Sequence, residues 1–310
     1  MDQQERPLSE VIAATLYSSE EIRPSDLVRL SDLNDAGLAQ FKQGWVSAAI
    51  GQRTKLITRL ASLGEDDFTL DFTRVFQFCL DDVAESVRIK ALAGLELEDK
   101  YAAVRPIIKT LRADESAEVR EVAARVLGKF ALLAEWGELP QAAAADIFDA
   151  LLEALEKPGE PASVRRRALE SIAAFQQELV EDYIEDFYYS EDPRVKASAV
   201  FAMGRNCKPR WLDFLIEEMQ SSNAEFRFEA ARSSGEIENE DAVPGLLKLL
   251  DDEDKEVQDA AIMALGKIGG TEAKQALQKL SKSHDARIRE AALSALTELE
   301  ICQDLPSSSF

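Results

Sequence analysis

The sequence predicts an all-α protein, an α-solenoid of about eight stacked helix pairs. One phrase recurs along the chain: a Val-like anchor, usually an Arg, and then an Ala/Leu-rich run with helical spacing. Such a period is typical of stacked repeats with a continuous core, and not of one enclosed core with a single cleft. Successive anchors are 35, 32, 45, 31, 31, 31 and 31 residues apart: Gln52 (in a weaker copy), Val87, Val119, Val164, Val195, Phe226, Val257 and Ile288.

The unit around Val257 shows how one repeat is built. Its first helix is predicted to start near Asp241, with Pro244 in the opening turn, where a missing N–H costs least. Residues 251–254 should end that helix and supply capping oxygens for the next one. The second helix buries the residues at offsets 0, 4, 5 and 8 from the anchor, which form one helical face: Val257, Ala261, Ile262 and Leu265. Gly266, Gly269 and Gly270 are then expected to turn the chain back.

The residue at offset 4 is Ala in seven of the eight units. A side chain this small lets neighbouring helices approach to about 8–10 Å. The positions are Ala91, Ala123, Ala168, Ala199, Ala230, Ala261 and Ala292.

A basic residue follows the anchor in seven of the eight units, and Gln258 is the exception. Acids precede the anchor in most units, at Asp82, Asp114, Asp192, Asp254 and Asp285. We interpret the two sets as a structural ladder of Asp–Arg contacts that ties the loops together; a ligand-binding row of arginines is the alternative. The basic residues are Arg53, Arg88, Arg120, Arg165, Lys196, Arg227 and Arg289.

The ends of the chain depart from the repeat. Residues 1–32 hold two short apolar helical patterns, and we predict an N-terminal helical cap over the first layer, with a docking arm as the alternative. Residues 33–301 form the predicted solenoid. Residues 302–310 lack periodicity and are predicted to be a disordered tail.

Three internal segments also break the pattern. The 45-residue step contains an insertion at residues 131–161, which should extend one helix and add a turn with Trp136. This insertion is either a binding element or a harmless kink with Trp136 packed on a neighbour.

Residues 178–192 combine seven acids with four aromatics. This composition predicts that the aromatics pack inward and that the acids form a solvated face, with a docking surface for a basic peptide as the alternative. Ser234 replaces a large apolar residue at offset 8, which predicts a weak layer.

The net charge of −22 is spread along the chain. A surface this negative repels phosphate backbones, which argues against nucleic acid and anionic membranes as partners and favours a basic protein or peptide. High net charge is equally a solubility device. Cys79, Cys207 and Cys302 fall in no metal or redox spacing, and neither a signal segment nor a membrane span is visible. We therefore expect a soluble, cytoplasmic, reduced protein.

Chemistry-bearing motifs are missing from the sequence. His284 is the single histidine, and no phosphate-binding loop, dinucleotide glycine phrase or nucleophile elbow occurs. The sequence accordingly predicts no catalytic residue, no metal site and no cofactor.

The recurring phrase resembles the HEAT repeats, and especially the short, Ala-rich subclass named after the phycobilisome lyases, whose typical phrase is D-x-x-V-R-x-x-A-A-x-A-L-G. The resemblance covers about residues 33–301 and implies a right-handed α-solenoid, a non-enzymatic scaffold that binds other proteins. The subclass name suggests a second function, a bilin lyase, lyase subunit or chromophore-protein chaperone. Deoxyhypusine hydroxylases also use such layers, but their paired His-Glu steps are absent from this sequence.

A candidate binding face follows from the helical offsets. Positions 2 and 6 of each second helix lie opposite the buried arc and are mostly polar, but Phe201, Phe228 and Met263 occupy them in three consecutive repeats. Arg166 and Arg232 flank the two Phe rings, and an apolar centre with a polar rim is typical of an interaction hot spot. The alternative is that superhelical twist buries both rings against neighbouring layers. The predicted protein-binding residues are Phe201, Phe228, Met263, Arg166, Arg232 and, in the insertion, Trp136.

Overall fold

The structure, a computed structural model, describes residues 6–18, 21–97 and 101–304. Within these ranges it contains eighteen α-helices, three short 3₁₀ turns and no strand. The chain divides into two compact units, Met1–Ser171 and Ile172–Phe310. None of the described helices is both long and apolar enough to cross a bilayer.

The first unit holds two N-terminal helices and four helix pairs. Helix α1 packs against α3 and α4, which is the position that an N-terminal cap would take. The helices are α1 (Leu8–Tyr17) and α2 (Pro24–Val28), followed by the pairs α3 (Asp35–Ser47) and α4 (Ile50–Asp66), α5 (Thr73–Cys79) and α6 (Glu85–Glu96), α7 (Val104–Ala113) and α8 (Ala117–Glu135), and α9 (Gln141–Glu156) and α10 (Ala162–Ile172).

The second unit holds four more pairs. All four of its first helices are short, with seven to eleven residues, whereas its second helices are longer. The pairs are α11 (Glu178–Tyr188) and α12 (Pro193–Asn206), α13 (Leu212–Glu218) and α14 (Ala224–Ile237), α15 (Val243–Leu249) and α16 (Lys255–Ile268), and α17 (Gly270–Leu280) and α18 (Ala286–Asp304).

Second helices of successive repeats stack on one another within each unit. In the first unit α4 packs on α6 and α6 on α8; in the second, α12 packs on α14, α14 on α16 and α16 on α18. All seven alanines at offset 4 are fully buried. The predicted all-α array of about eight helix pairs is confirmed.

Several glycines mark the closest contacts between second helices. A Cβ added to Gly204 of α12 would lie 2.6 Å from Ser233 Cα of α14, and one on Gly266 of α16 would lie 3.0 Å from Ala295 Cα of α18. The sequence predicted that Gly266 turns the chain, and this prediction is wrong. Gly266 lies inside α16, where the contact with Ala295 of α18 leaves room for a hydrogen but not for a side chain. The turn itself falls at Gly269, with φ +71°.

The insertion and the C-terminal boundary differ from expectation. Residues 131–161 lengthen two helices, α8 and α9, and not one, with a turn at Gly137 (φ +76°) between them. Trp136 is 67% exposed, so it is not packed on a neighbour. Residues 302–304 continue α18, because no helix-breaking residue precedes Pro306; residues 305–310 of the predicted tail lie outside the described residues.

The acidic segment at residues 178–192 is more than a solvated face. Phe187 and Tyr188 are buried, as the periodicity indicates, but Glu181 is also buried and forms ion pairs with Lys208 and Arg210. The hydrogen bond from Lys208 lowers the pKa of Glu181. This acid is therefore a buried structural group, which its spacing alone could not reveal.

Ser234 occupies a fully buried position in α14. Its Oγ has no hydrogen-bond partner among the described residues. A buried hydroxyl without a partner costs about 1–3 kcal/mol, which is in line with the weak layer predicted here.

Candidate protein-binding site

The basic residues after the anchors mostly bind carboxylates of the following repeat. Arg88 donates from Nε and Nη2 to Asp114, at 2.8 and 2.9 Å, and its Nη1 donates to the Asp82 carbonyl of its own loop. In the second unit Arg227 forms the same fork with Asp252, at 2.7 and 2.8 Å. The other links are Arg53–Asp82 at 3.0 Å, Arg120–Glu160 at 2.7 Å and Lys196–Glu218 at 2.6 Å.

The guanidinium groups of Arg88, Arg120 and Arg227 also donate to carbonyls of their own loops, so each is held between two successive loops. Arg88 and Arg227 are less than a tenth exposed. The hydrogen bond from Arg227 lowers the pKa of Asp252. Buried, forked and charge-balanced contacts of this kind position loops, which supports the structural interpretation over a ligand-binding row.

Parts of the ladder differ from the sequence expectation. Arg165 donates to the Leu155 carbonyl in the last turn of α9, and Arg289 donates to the Ser283 carbonyl of its own loop, at 2.9 Å each. Three of the predicted acids cap second helices by accepting backbone N–H groups two residues ahead, and these are Asp192, Asp254 and Asp285. The first N–H groups of a helix have no partner within the helix, and an acid directly before the helix is in reach of them. These three carboxylates therefore cap the helices.

A groove of about 410 Å³ lies between α14 and α16 in the second unit. Its floor is apolar and includes the half-buried Phe228 and the 39% exposed Met263, with Ala260 and Ala264 between them. Three of the sequence-predicted residues, Phe228, Met263 and Arg232, thus line one groove. The two alanines, which leave the depression, were missed because Ala at such positions also signals ordinary helix packing.

Phe201 contributes differently from the prediction. It is half-buried on α12, and the Arg232 guanidinium carbon lies 4.5 Å from its ring centroid, with that of Arg205 at 5.9 Å. A cation over an aromatic face is an attractive arrangement, worth about 0.5–1 kcal/mol at exposed sites. The Phe201 ring therefore supports Arg232 at the edge of the groove, whereas Phe228 lies in its floor.

Charged side chains form the rim of the groove. Glu256 and Asp259 lie along the first turns of α16, whereas Lys267 lies in its last turn and pairs with Glu236 of α14 at 2.9 Å. Arg287 of α18 binds Asp259 and also donates to Gln258. Arg232 completes the rim from α14.

Arg166 and Trp136 belong to the first unit. Arg166 is half-buried on α10, and Trp136 follows the last residue of α8. The groove is lined by second-unit residues only. A role of Arg166 and Trp136 in protein binding therefore stays a prediction that is independent of the groove.

Groups that could hold a metal are not assembled in the described part of the chain, where no three His, Cys, Asp or Glu side chains cluster suitably. His284 is exposed in a loop. Burial raises the pKa of the Cys79 thiol well above its usual range, which keeps it protonated. The Cys302 side chain lies outside the described residues.

Part of the chain matches a known family of repeats. A family model of HEAT repeats matches residues 212–297, which include α14 and α16. A comparison with curated protein sequences gave no significant match.

Solved structures give further likenesses. The complex of CpcE and CpcF of phycocyanin lyase from Nostoc sp. PCC7120 is similar with a TM-score of 0.50 at 16% identity, over 92% of this chain and 96% of that one. An engineered protein has a TM-score of 0.43 at 20% identity, over 94% of this chain and 88% of its own. YibA of E. coli has a TM-score of 0.44 at 20% identity, over 82% and 98%. Residues 212–297 thus match HEAT repeats, and the lyase complex shares the fold of this chain.

Proposed function

We propose that this HEAT-repeat protein is a non-enzymatic scaffold that binds a protein partner through the α14–α16 groove of its second unit. The observation that carries the proposal is the apolar floor of Phe228 and Met263 on a helix face that is otherwise polar. Burying such a floor against a partner contributes about 25 cal/mol per Å² of apolar surface, and a polar rim excludes water from it.

Met263 offers a direct test, because it projects from the floor and is partly exposed. A photo-crosslinking amino acid at position 263 should capture one protein in stoichiometric yield from the source lysate. The same group at Lys248, exposed on α15, is the control and should capture none of it. Equal capture at both positions would contradict the proposed surface.

A blocking variant gives the complementary test. Met263→Arg should place a charged chain across the floor and abolish capture. The fold should be preserved, because the side chain at position 263 is 39% exposed and Asp259 lies four residues before it on the same helix. The sequence-predicted double variant, Phe201→Ser with Phe228→Ser, should also lose capture. It should cost stability as well, because both rings are half-buried.

The lyase function is the second candidate, favoured by the fold shared with the phycocyanin lyase complex. It predicts that the captured protein is a phycobiliprotein with visible absorbance. A colourless partner captured at position 263 supports the scaffold alone.

A further inference from the structure

The outer face of α18, which points away from α16, is more exposed than the same face of the other second helices. Its residue at offset 5 is Leu293, whose side chain is 50% exposed. The residues at offset 5 in the other seven repeats are at most 1% exposed: Ile57, Leu92, Ala124, Leu169, Val200, Ala231 and Ile262. Leu296, at offset 8, is half-buried, whereas offset 8 is fully buried in every other repeat. The eighth repeat therefore keeps a core-type surface that is open to solvent.

The position of this face follows from the stacking of the second helices. Ala295 of α18 lies against Gly266 of α16. Leu293 precedes Ala295 by two residues, or about 200° of helical rotation, so it lies on the opposite side of α18. The corresponding side of α16 carries Gly266 and packs on α18. On α18 itself, this side is exposed to solvent in the described part of the chain.

Arg289, at the ladder position of the same face, lacks a contact that its counterparts form. Its Nη1 donates to the Ser283 carbonyl of its own loop, as Arg88 and Arg227 do to carbonyls of theirs. Those two arginines also bind a carboxylate of the following repeat. No carboxylate among the described residues pairs with Arg289. Its guanidinium is therefore held in place by its loop and can accept an acid from outside.

Arg289 belongs to a stripe of four residues along the outer face of α18. They are four, three and four residues apart: Arg289, Leu293, Leu296 and Glu300. At about 100° per residue, the four positions fall within about 60° of one another, over a length of about 16 Å. The α18 stripe thus has a cation at one end, an acid at the other end and two leucines between them.

The two charges of the α18 stripe are not neutralised by their neighbours. Asp285 lies one turn before Arg289, but its carboxylate caps the helix by accepting the Arg287 N–H and forms no ion pair with Arg289. No Lys or Arg follows Arg289 in α18. Glu300 is exposed and pairs with no cation of the residues that the structure describes.

The α18 stripe is complementary to a second copy of itself. When two identical helices pack antiparallel about a two-fold axis, each residue i faces residue j and each j faces i. With the axis midway between residues 294 and 295, Arg289 faces Glu300 of the second copy. In the same register Leu293 faces Leu296 of the second copy. The Arg–Glu pair then occurs twice, and four leucines meet at the centre, whereas parallel helices would bring like charges together.

We propose that this chain forms a two-fold symmetric homodimer through the α18 stripe. The occupant of the exposed face is a second copy of the chain, and the site is separate from the α14–α16 groove. One helix–helix contact of this length buries less than the about 800 Å² per partner of a standard complex, so the dissociation constant should be on the order of 10 µM. The net charge of −22 makes the two copies repel at low salt, so the dimer is measured at physiological ionic strength.

Sedimentation velocity of the full chain tests the proposal. Between about 1 and 100 µM it should show a reversible equilibrium of monomer and dimer. Leu293→Asp should weaken the dimer at least about tenfold, because it places a carboxylate of each copy in the apolar centre. Its circular dichroism should be that of the wild type, since the side chain is half exposed. Leu179→Asp, the same change at an exposed leucine of α11, is the control and should leave the dimer unchanged.

Charge reversal tests the antiparallel register. Arg289→Glu and Glu300→Arg should each weaken the homodimer about tenfold or more, because like charges then face each other twice. An equimolar mixture of the two variants should form a heterodimer, since one chain has acids at both ends of its stripe and the other has bases. Glu225→Arg, the same reversal at an exposed position in the first turn of α14, should leave the homodimer unchanged.

Three results would overturn the inference. A chain that stays monomeric up to about 100 µM would mean that something other than a second copy covers the face. A dimer that survives Leu293→Asp would lie elsewhere on the molecule. A homodimer that Glu300→Arg does not weaken would contradict the register, and this variant is informative even if Arg289→Glu loses its loop contact, because Glu300 is exposed. None of these results alters the crosslinking test at position 263.

Discussion

Exchange of Gly204 for Ala tests the idea that the repeats are held at a distance set by glycine. The added Cβ would lie 2.6 Å from Ser233 Cα, whereas non-bonded carbons prefer about 3.5–4.0 Å, so α12 and α14 must separate by about 1 Å. The obstacle is backbone and cannot rotate away. Overpacking of this kind costs about 1–3 kcal/mol, and the gain in helix propensity returns at most about 1 kcal/mol.

Gly51→Ala is the matched control, because Gly51 also lies in a helix but has no atom within 4 Å of an added Cβ. It should be neutral or stabilising by up to about 0.5 kcal/mol. The assay is urea unfolding followed by circular dichroism, with amide exchange to localise the change to α12 and α14. If Gly204→Ala were as stable as Gly51→Ala, the close contact would not be limiting, and the argument would fail.

Two further substitutions probe buried polar groups. Ser234→Ala should stabilise the chain by about 1 kcal/mol in urea unfolding, because it removes a buried hydroxyl that lacks a partner; a loss of stability would mean that the hydroxyl is satisfied after all. Asp252→Asn should cost about 3 kcal/mol at neutral pH, because it removes the forked counter-charge of the buried Arg227 and leaves only the exposed Glu253 carboxylate at 4.0 Å. Since the folded pKa of Asp252 is lowered, its contribution is present above the unfolded pKa of about 3.9 and is lost as the pH falls through the folded value; the difference between wild type and variant should therefore shrink below about pH 4 and stay constant between about pH 5 and 7.

The helices and their buried faces could be predicted because burial at offsets 0, 4, 5 and 8 is a local property of the chain. For the Asp–Arg ladder, the sequence predicts that basic side chains bind acidic ones, but it does not predict which acid each basic residue binds. Arg120 reaches Glu160, forty residues away, since the insertion supplies the next loop, and no spacing rule gives that partner.

Some features of the groove could likewise be predicted from the sequence, and others could not. Phe228 and Met263 could be predicted because a helical offset fixes which way they project. The position of Arg232 over Phe201 could not, because it depends on how closely α12 and α14 pack and on the direction of a long side chain. Gly266 was assigned to a turn since a glycine after an Ala-rich run is an equally good signal for a helix end.

The ladder of Arg–carboxylate contacts gives the array a polarity that bears on how such a chain gains and loses repeats during evolution. Arg53, Arg88, Arg120 and Arg227 each bind a carboxylate of the next repeat, so deleting that repeat would leave a buried cation. The acids are less dependent: Asp82, Asp114 and Asp252 each also accept a backbone N–H of their own loop, at 2.8–2.9 Å, and would keep it. Gln258 stands at the ladder position of the seventh repeat and donates to the Asp252 carbonyl of its own loop. An uncharged amide there means that the eighth repeat can be lost or replaced without orphaning a ladder cation, which makes that junction the natural place for the array to change length.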